Sequence, residues 1–277
     1  MRVLLNQQEE IISDNLLIND TTQNLTIENT NPGQVINLNF STNLSNKTFL
    51  IFLNLTAEAT INYNIPAQDQ INIINIYKNR ECEQVANLFY NVLEKTHVNV
   101  YNLNIVNSNI TENVTFNLQG KRSTLKYYLA SLVTHDYQKN AIIYAHHLAP
   151  ATESDIKTYS IAKDNSLQTV KCTSHIEKTM SKSEAHQELR LLVFDKTSKA
   201  ISDPILLIDE NDIKASHANA VGMLDPDQIF YLQTRGLTVN QARKLICMGY
   251  FKNVIDAIED ETLQKNIIDE IDKEIGE

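Results

Sequence analysis

The chain has 277 residues, of which 42% are hydrophobic, and its formal net charge at pH 7 is -10. An acidic chain without clustered Lys and Arg lacks the contacts that phosphates require, which excludes a nucleic-acid surface. Six glycines are too few for a glycine-rich nucleotide cradle beside ordinary turns, and no apolar run is long enough to span a membrane. Glu9 and Glu10 interrupt any signal-peptide core, so we expect a cytoplasmic protein.

Alternating polar and apolar residues fill the first two thirds of the sequence. A period of two residues places one apolar face inward along a β-strand. We therefore predict strands at 35–40, 49–55, 59–65, 97–105, 114–118, 141–145, 189–194 and 204–208. A flat sandwich and the wall of a solenoid both produce this pattern, and no fixed-period repeat chooses between them. Residues 81–94 carry apolar residues at helical spacing and are predicted as a helix, with a strand over 89–93 as the alternative.

Two helix starts follow near the C-terminus. Asp225 is a predicted N-cap, followed by Pro226 at the first helical position, and this helix ends at Gly236. Thr238 begins the second helix with Gln241 at its third position. A third helix is predicted over 261–275. We expect a β body over 1–224 and a small helical subdomain over 225–277. The side chains expected to be largely buried there are Ile229, Phe230, Leu232, Leu245 and Ile246.

No motif of an enzyme active site is present. The sequence lacks GxxxxGK[ST], GxGxxG, GxSxG and HExxH. The three cysteines, Cys82, Cys172 and Cys247, are far apart and are interpreted as reduced, packed thiols. His146 and His147 are adjacent; on a strand they would point to opposite faces and could not share one ion. His175 and His186 have no partner at metal-binding spacing.

Residues 203–236 carry an ordered motif. The matching positions are Asp212, Lys214, Ser216, His217, Val221, Gly222, Leu224, Asp225, Phe230, Tyr231, Leu232, Arg235 and Gly236. In this order they resemble the C-terminal signature of the SufB/SufD family of iron–sulfur cluster assembly scaffolds. Weaker similarities lie at 147–150, 185–187 and 190–194, so the resemblance covers roughly residues 90–236.

The resemblance implies a right-handed parallel β-helix followed by a small C-terminal helical subdomain. The chain is more similar to SufD than to SufB, and the family's N-terminal region is shortened here. Ala215 stands where family members often have a cysteine, and Thr152 stands near a second such position. We therefore expect no stably bound cofactor, and at most an iron–sulfur cluster shared transiently with a partner.

The resemblance also assigns candidate residues. His217 is a candidate for cluster assembly, for a subunit interface and, as an imidazole, for iron ligation or proton relay. The structural alternative is a histidine at a strand end that hydrogen-bonds a turn. Lys214 lies on the same segment, and its alternative role is a solubilising charge on an edge strand. The residues implied in docking a partner ATPase are Asp225, Phe230, Tyr231, Arg235 and Gly236.

These observations predict a non-catalytic scaffold subunit of a SUF-type assembly complex. Its implied partners are a SufB-like scaffold and a SufC-like ABC-type ATPase, and a homodimer of the isolated chain is an open alternative. One alternative is a stand-alone β-solenoid module that binds carbohydrate or another ligand. A second is an enzyme with a β-helical cleft, such as a polysaccharide lyase, which would need charged residues converging on a groove.

Overall fold

The chain winds into a β-solenoid whose successive strands alternate between two sheets. The structure is a computed structural model that describes residues 2–5, 9–11, 13–29, 31–67, 70–78 and 82–276. The ten-stranded sheet contains β1 (Arg2–Leu5), β2 (Glu9–Ile11), β4 (Asn24–Glu28), β6 (Lys47–Asn54), β8 (Gln70–Tyr77), β10 (His97–Asn104), β12 (Thr124–Val133), β14 (Glu153–Ala162), β16 (Glu184–Val193) and β18 (Lys214–Met223).

The second sheet has eight strands. They are β3 (Asn15–Ile18), β5 (Gln34–Phe40), β7 (Glu58–Ile65), β9 (Gln84–Val92), β11 (Ile110–Leu118), β13 (Gln138–His147), β15 (Leu167–Ile176) and β17 (Lys199–Ile208). From β3 to β16, each strand pairs in parallel with the strand two places after it. The expected parallel β-solenoid is thus confirmed.

The N-terminal strand departs from this parallel order. β1 pairs antiparallel with β4 on one side and with β2 on the other, so β2 forms the edge of the ten-stranded sheet. Val3 on β1 is fully buried and belongs to the main hydrophobic core. The strand therefore extends both the sheet and the core at this end of the solenoid.

Alternate residues of both sheets fill the space between them. Tyr90 stacks between Tyr63 and Phe116, with ring centroids 4.2 and 4.8 Å away, and all three side chains are fully buried. The buried Asn75 amide accepts a hydrogen bond from the Tyr63 hydroxyl at 2.9 Å and donates to the Tyr90 hydroxyl at 2.7 Å. This satisfies polar groups that would otherwise be costly to bury.

Asparagines on the outer faces form ladders from one turn of the solenoid to the next. On the eight-stranded sheet, the amide of Asn117 donates to Asn91, Asn91 donates to Asn64, and Asn64 donates to Asn39, at 2.9, 3.0 and 2.9 Å. Stacked amide ladders of this kind stabilise parallel, in-register strands. They account for the abundance of Asn in the first half of the sequence.

Gly120 lies at a corner where two turns of the chain approach closely. A Cβ atom at this position would lie 1.9 Å from the backbone nitrogen of Glu94. Only glycine avoids this overlap. The corner between β11 and β12 therefore depends on the missing side chain.

The predicted helix over 81–94 is wrong. β9 covers Gln84–Val92, and residue 81 lies outside the described residues. Ala86, Leu88 and Tyr90 point into the core, whereas Asn87 and Asn91 join the outer ladders. The period-two pattern therefore prevails over the helical spacing of Val85 and Phe89, which is incidental.

Three helices end the chain: α1 (Pro226–Thr234), α2 (Val239–Ile255) and α3 (Glu261–Gly276). Asp225 and Thr238 are N-caps as predicted, and Thr238 forms a capping box with Gln241. α2 and α3 cover the outer face of the ten-stranded sheet, where Phe251 and Ile271 are fully buried in a second apolar cluster. None of the described helices combines the length and apolar character needed to cross a membrane.

The expected burial of five side chains in the helical segment is wrong in part. Phe230 is 67% exposed and Leu245 is 52% exposed, and the other three, Ile229, Leu232 and Ile246, are half-buried. For the residues of α1, the reason is that this helix contacts α2 but has no sheet face beneath it. The division of the chain at residue 224 stays a prediction, because α2 and α3 share their apolar cluster with the sheet.

Candidate functional site

The C-terminal end of the solenoid is an uncapped turn of chain. β17 and β18 are the last strands of their sheets, and within the described residues no further strand pairs with either. Every residue of β18 except Ala215 is exposed, whereas the inward-facing residues of β16 beneath it are buried. The interior of the solenoid is therefore open to solvent at this end.

His217 lies on this open end and faces the solenoid interior. It is in register with Gln187 of β16, whose buried amide donates to the Ser174 hydroxyl at 2.8 Å and to the Ile205 carbonyl at 3.0 Å. Stacked residues of parallel strands point the same way, so His217 continues the inward-facing column of Gln187. It is exposed because no further turn of the described chain stacks on β18.

The surroundings of His217 differ from those expected of a purely structural histidine. The residue lies inside β18 rather than at a strand end, and no hydrogen-bond partner of its imidazole is found among the residues that the structure describes. Both ring nitrogens are therefore accessible to a ligand or a partner chain.

Two residues beside His217 bridge the sheets at the open end. The hydroxyl of Ser202 on β17 donates to the amide oxygen of Asn219 on β18 at 2.7 Å. Val221 follows on the same side of β18, in register with the buried Leu191. The sequence analysis missed Ser202 and Asn219, because their proximity to His217 follows from the pairing of the strands and not from any local sequence pattern.

Lys214 lies on β18 but faces the opposite side from His217. It is in register with Glu184, and its Nζ atom donates to Glu184 Oε1 at 2.6 Å. The hydrogen bond and the charge of Glu184 raise the pKa of Lys214, and the same hydrogen bond lowers the pKa of Glu184. The pair is exposed, so solvent screens it. The structure does not bring Lys214 and His217 together.

The five candidate docking residues lie together around α1. The Asp225 side chain accepts a hydrogen bond from the Asp227 backbone nitrogen, and Arg235 donates to the Tyr231 hydroxyl at 3.1 Å with its guanidinium over the ring. Gly236 has a φ of +94°, a left-handed conformation that favours glycine after a helix end. Phe230 and Tyr231 form an exposed aromatic pair on this helix.

The cysteines are not arranged as ligands at the open end. Cys172 and Cys247 are fully buried, and burial raises the pKa of both thiols, that of Cys247 to about 12. Such thiols are protonated at neutral pH and are poor metal ligands. Cys172 lies one turn below the end, in register with Pro204.

We expect His217→Ala to leave stability nearly unchanged, because the exposed imidazole lacks a partner in the described chain. Gln187→Ala is the matched variant one turn below, and it should cost about 1–3 kcal/mol because it leaves Ser174 and a backbone carbonyl without their donor. Urea unfolding of the two variants beside the wild-type chain measures this difference. A loss of stability in His217→Ala as large as that in Gln187→Ala would contradict the interpretation.

Comparisons with known proteins match most of the chain to one family. The family model described as SUF system FeS cluster assembly, SufBD core domain, matches residues 10–250. The iron–sulfur cluster assembly protein SufD of Bacillus subtilis is 33% identical over 129 residues, which is 47% of this chain and 30% of that protein. SufD of Escherichia coli is 32% identical over 77 residues, 28% of this chain and 18% of that protein. SufB of Bacillus subtilis is 29% identical over 106 residues, 38% of this chain and 23% of that protein.

Proposed function

The chain belongs to the SufBD core family of the SUF system, and from this premise we propose that it is a non-catalytic scaffold subunit for iron–sulfur cluster assembly. The observation that carries the proposal is the accessible His217 at the uncapped end of the solenoid. A cytoplasmic location is part of the proposal. Because the matched segments cover less than a third of each relative's length, the activity of the whole protein and its partners are proposals as well.

The proposed partner at the open end is a SufB-like scaffold. In the absence of that scaffold, a second copy of this chain would take its place. An edge strand carries unpaired backbone groups that can pair with a strand of another chain. β17 is poorly suited to this, because Pro204 in its middle lacks a backbone N–H. β18 has no proline, and its small side chains (Ala215, Ser216, Ala218, Ala220 and Gly222) allow close approach. Pairing therefore uses β18.

A subunit docked on β18 would cap the column that ends in His217. Capping would exclude water from the imidazole and bring partner ligands to it. The cluster is cargo assembled between two chains, so the missing family cysteine at Ala215 does not forbid it. In this arrangement His217 supplies one nitrogen ligand and the partner supplies the others.

The proposed ATPase surface is the exposed aromatic pair on α1. Phe230 and Tyr231 are large apolar side chains that α1 does not bury, and aromatic residues are enriched at the energetic centres of interfaces. A SufC-like ATPase docked there would supply the ATP hydrolysis for which this sequence has no phosphate-binding motif.

Val221→Glu should abolish pairing with a SufB-like scaffold, because it buries an unpaired carboxylate in the proposed interface. Val221 is 44% exposed, and Val35, 43% exposed on β5, provides the matched control. Co-purification and analytical ultracentrifugation of Val221→Glu and Val35→Glu test the site. Equal pairing by both variants would exclude β18 as the interface.

His217→Ala should preserve pairing and reduce cluster formation in the reconstituted complex by at least about tenfold, the effect of about 1.4 kcal/mol of lost stabilisation. Anaerobic reconstitution followed by absorption spectroscopy gives the readout. His97→Ala, a variant of a distant exposed histidine on β10, is the control. Full cluster formation in a paired His217→Ala complex would assign the residue no role in assembly.

The double variant Phe230→Ala, Tyr231→Ala should lose capture by a SufC-like ATPase while the chain stays folded, since neither side chain is buried. Leu17→Ala, which changes an exposed apolar residue on β3, is the control. A chain cut at Gly222 is a less specific test, because it also removes α2 and α3 from the face of the sheet. Undiminished capture of the double variant would place the ATPase elsewhere.

A further inference from the structure

Two histidines stack on the outer face of the eight-stranded sheet. His146 on β13 and His175 on β15 are in register, and their rings are nearly parallel, with centroids 5.2 Å apart and an interplanar angle of 8°. His147, the neighbour of His146, instead points inward and is fully buried, with its ring nitrogens 2.7 Å from Thr152 Oγ1 and 2.9 Å from Ser154 Oγ. His146 and His147 therefore point to opposite faces of the sheet, as expected, and His146 stacks on His175 instead.

Two carboxylates approach the Nε2 atoms of these histidines. Glu177 Oε1 lies 2.5 Å from His146 Nε2, and Asp209 Oδ2 lies 2.9 Å from His175 Nε2. One ligand atom from each of His146, His175 and Glu177 lies within 4.8 Å of the other two. The imidazoles are only 23% and 20% exposed, so the neighbouring side chains restrict their positions.

Tyr144 orients one of the rings. Its hydroxyl lies 2.9 Å from His175 Nδ1. With the proton on Nδ1 donated to the Tyr144 oxygen, the lone pair of Nε2 is directed to the side where Glu177 and Asp209 lie. An orienting contact of this kind, through the second ring nitrogen, accompanies most metal-bound histidines.

We propose that His146, His175 and Glu177 form a binding site for a divalent first-row transition metal ion, with the Asp209 carboxylate beside it at His175. Imidazole and carboxylate donors together suit Zn²⁺, Fe²⁺ and Ni²⁺ rather than Ca²⁺ or Mg²⁺. Zinc bonds of about 2.1 Å hold tetrahedral ligand atoms about 3.4 Å apart, and the three ligand atoms here lie within 4.8 Å of one another. The site lies on the opposite sheet from His217, and the proposal is independent of the function proposed above.

The test is Zn²⁺ titration of the full chain without an affinity tag, by calorimetry at neutral pH. We expect His175→Ala and Glu177→Gln each to weaken the site by more than about 100-fold, and Tyr144→Phe to weaken it by about 10- to 100-fold. Co²⁺ serves as the spectroscopic probe: its visible absorption should be lost in the first two variants. In Tyr144→Phe the absorption should persist with shifted bands, which a purely structural tyrosine would not produce.

Two control variants separate this site from other ligands of the chain. His186→Ala and Cys82→Ser should both retain the Zn²⁺ affinity of the wild-type chain. In the presence of a chelator, the thermal unfolding temperature of Glu177→Gln should equal that of the wild-type chain, because the substitution is nearly isosteric. If His175→Ala does not fold, Glu177→Gln alone tests whether the site binds Zn²⁺. A wild-type chain that binds no Zn²⁺, or Zn²⁺ binding that survives both His175→Ala and Glu177→Gln, would overturn the proposal.

Discussion

Parallel, in-register stacking of successive turns is the constraint on which the rest of the structure depends. It places each side chain directly above one residue of the preceding turn and below one of the next. Chemically alike residues therefore form columns, as in the Asn39–Asn64–Asn91–Asn117 ladder and the Tyr63–Tyr90–Phe116 stack. The same rule sets the direction of His217 above Gln187 and brings His146 beside His175.

The space between the two sheets also contains buried ionisable side chains. Glu112 and Lys139 are both buried between the sheets, where the Lys139 ammonium donates to the backbone carbonyls of Asn104 and Leu132 at 3.1 and 2.5 Å. Burial lowers the pKa of Lys139 to about 7, against the opposing charge of Glu112, and burial raises the pKa of Glu112. Asn102 and Asn104 donate to the Glu112 carboxylate, so the ionisable groups are held within a connected network.

Local patterns in the sequence located eight of the strands, two helix starts and the family, but not the remaining strands or the sites. Period-two alternation located those eight strands, and Asp225 and Thr238 located two helix N-termini, because these signals depend on neighbouring residues only. The partnership of His146 with His175 depends on the length of one solenoid turn, which varies along the chain. The exposure of Phe230 could not be inferred either, since an apolar helix position carries no information about whether a sheet lies beneath it.

The open end also has consequences for the order in which the molecule gains and loses structure. A terminal strand pairs with one neighbouring strand instead of two, and among the described strands β18 pairs only with β16. In a linear array of turns, opening begins where the stabilising contacts are fewest. The segment that carries His217 is therefore one of the places where fraying begins, and a chain that caps it would slow the unravelling of this end of the solenoid.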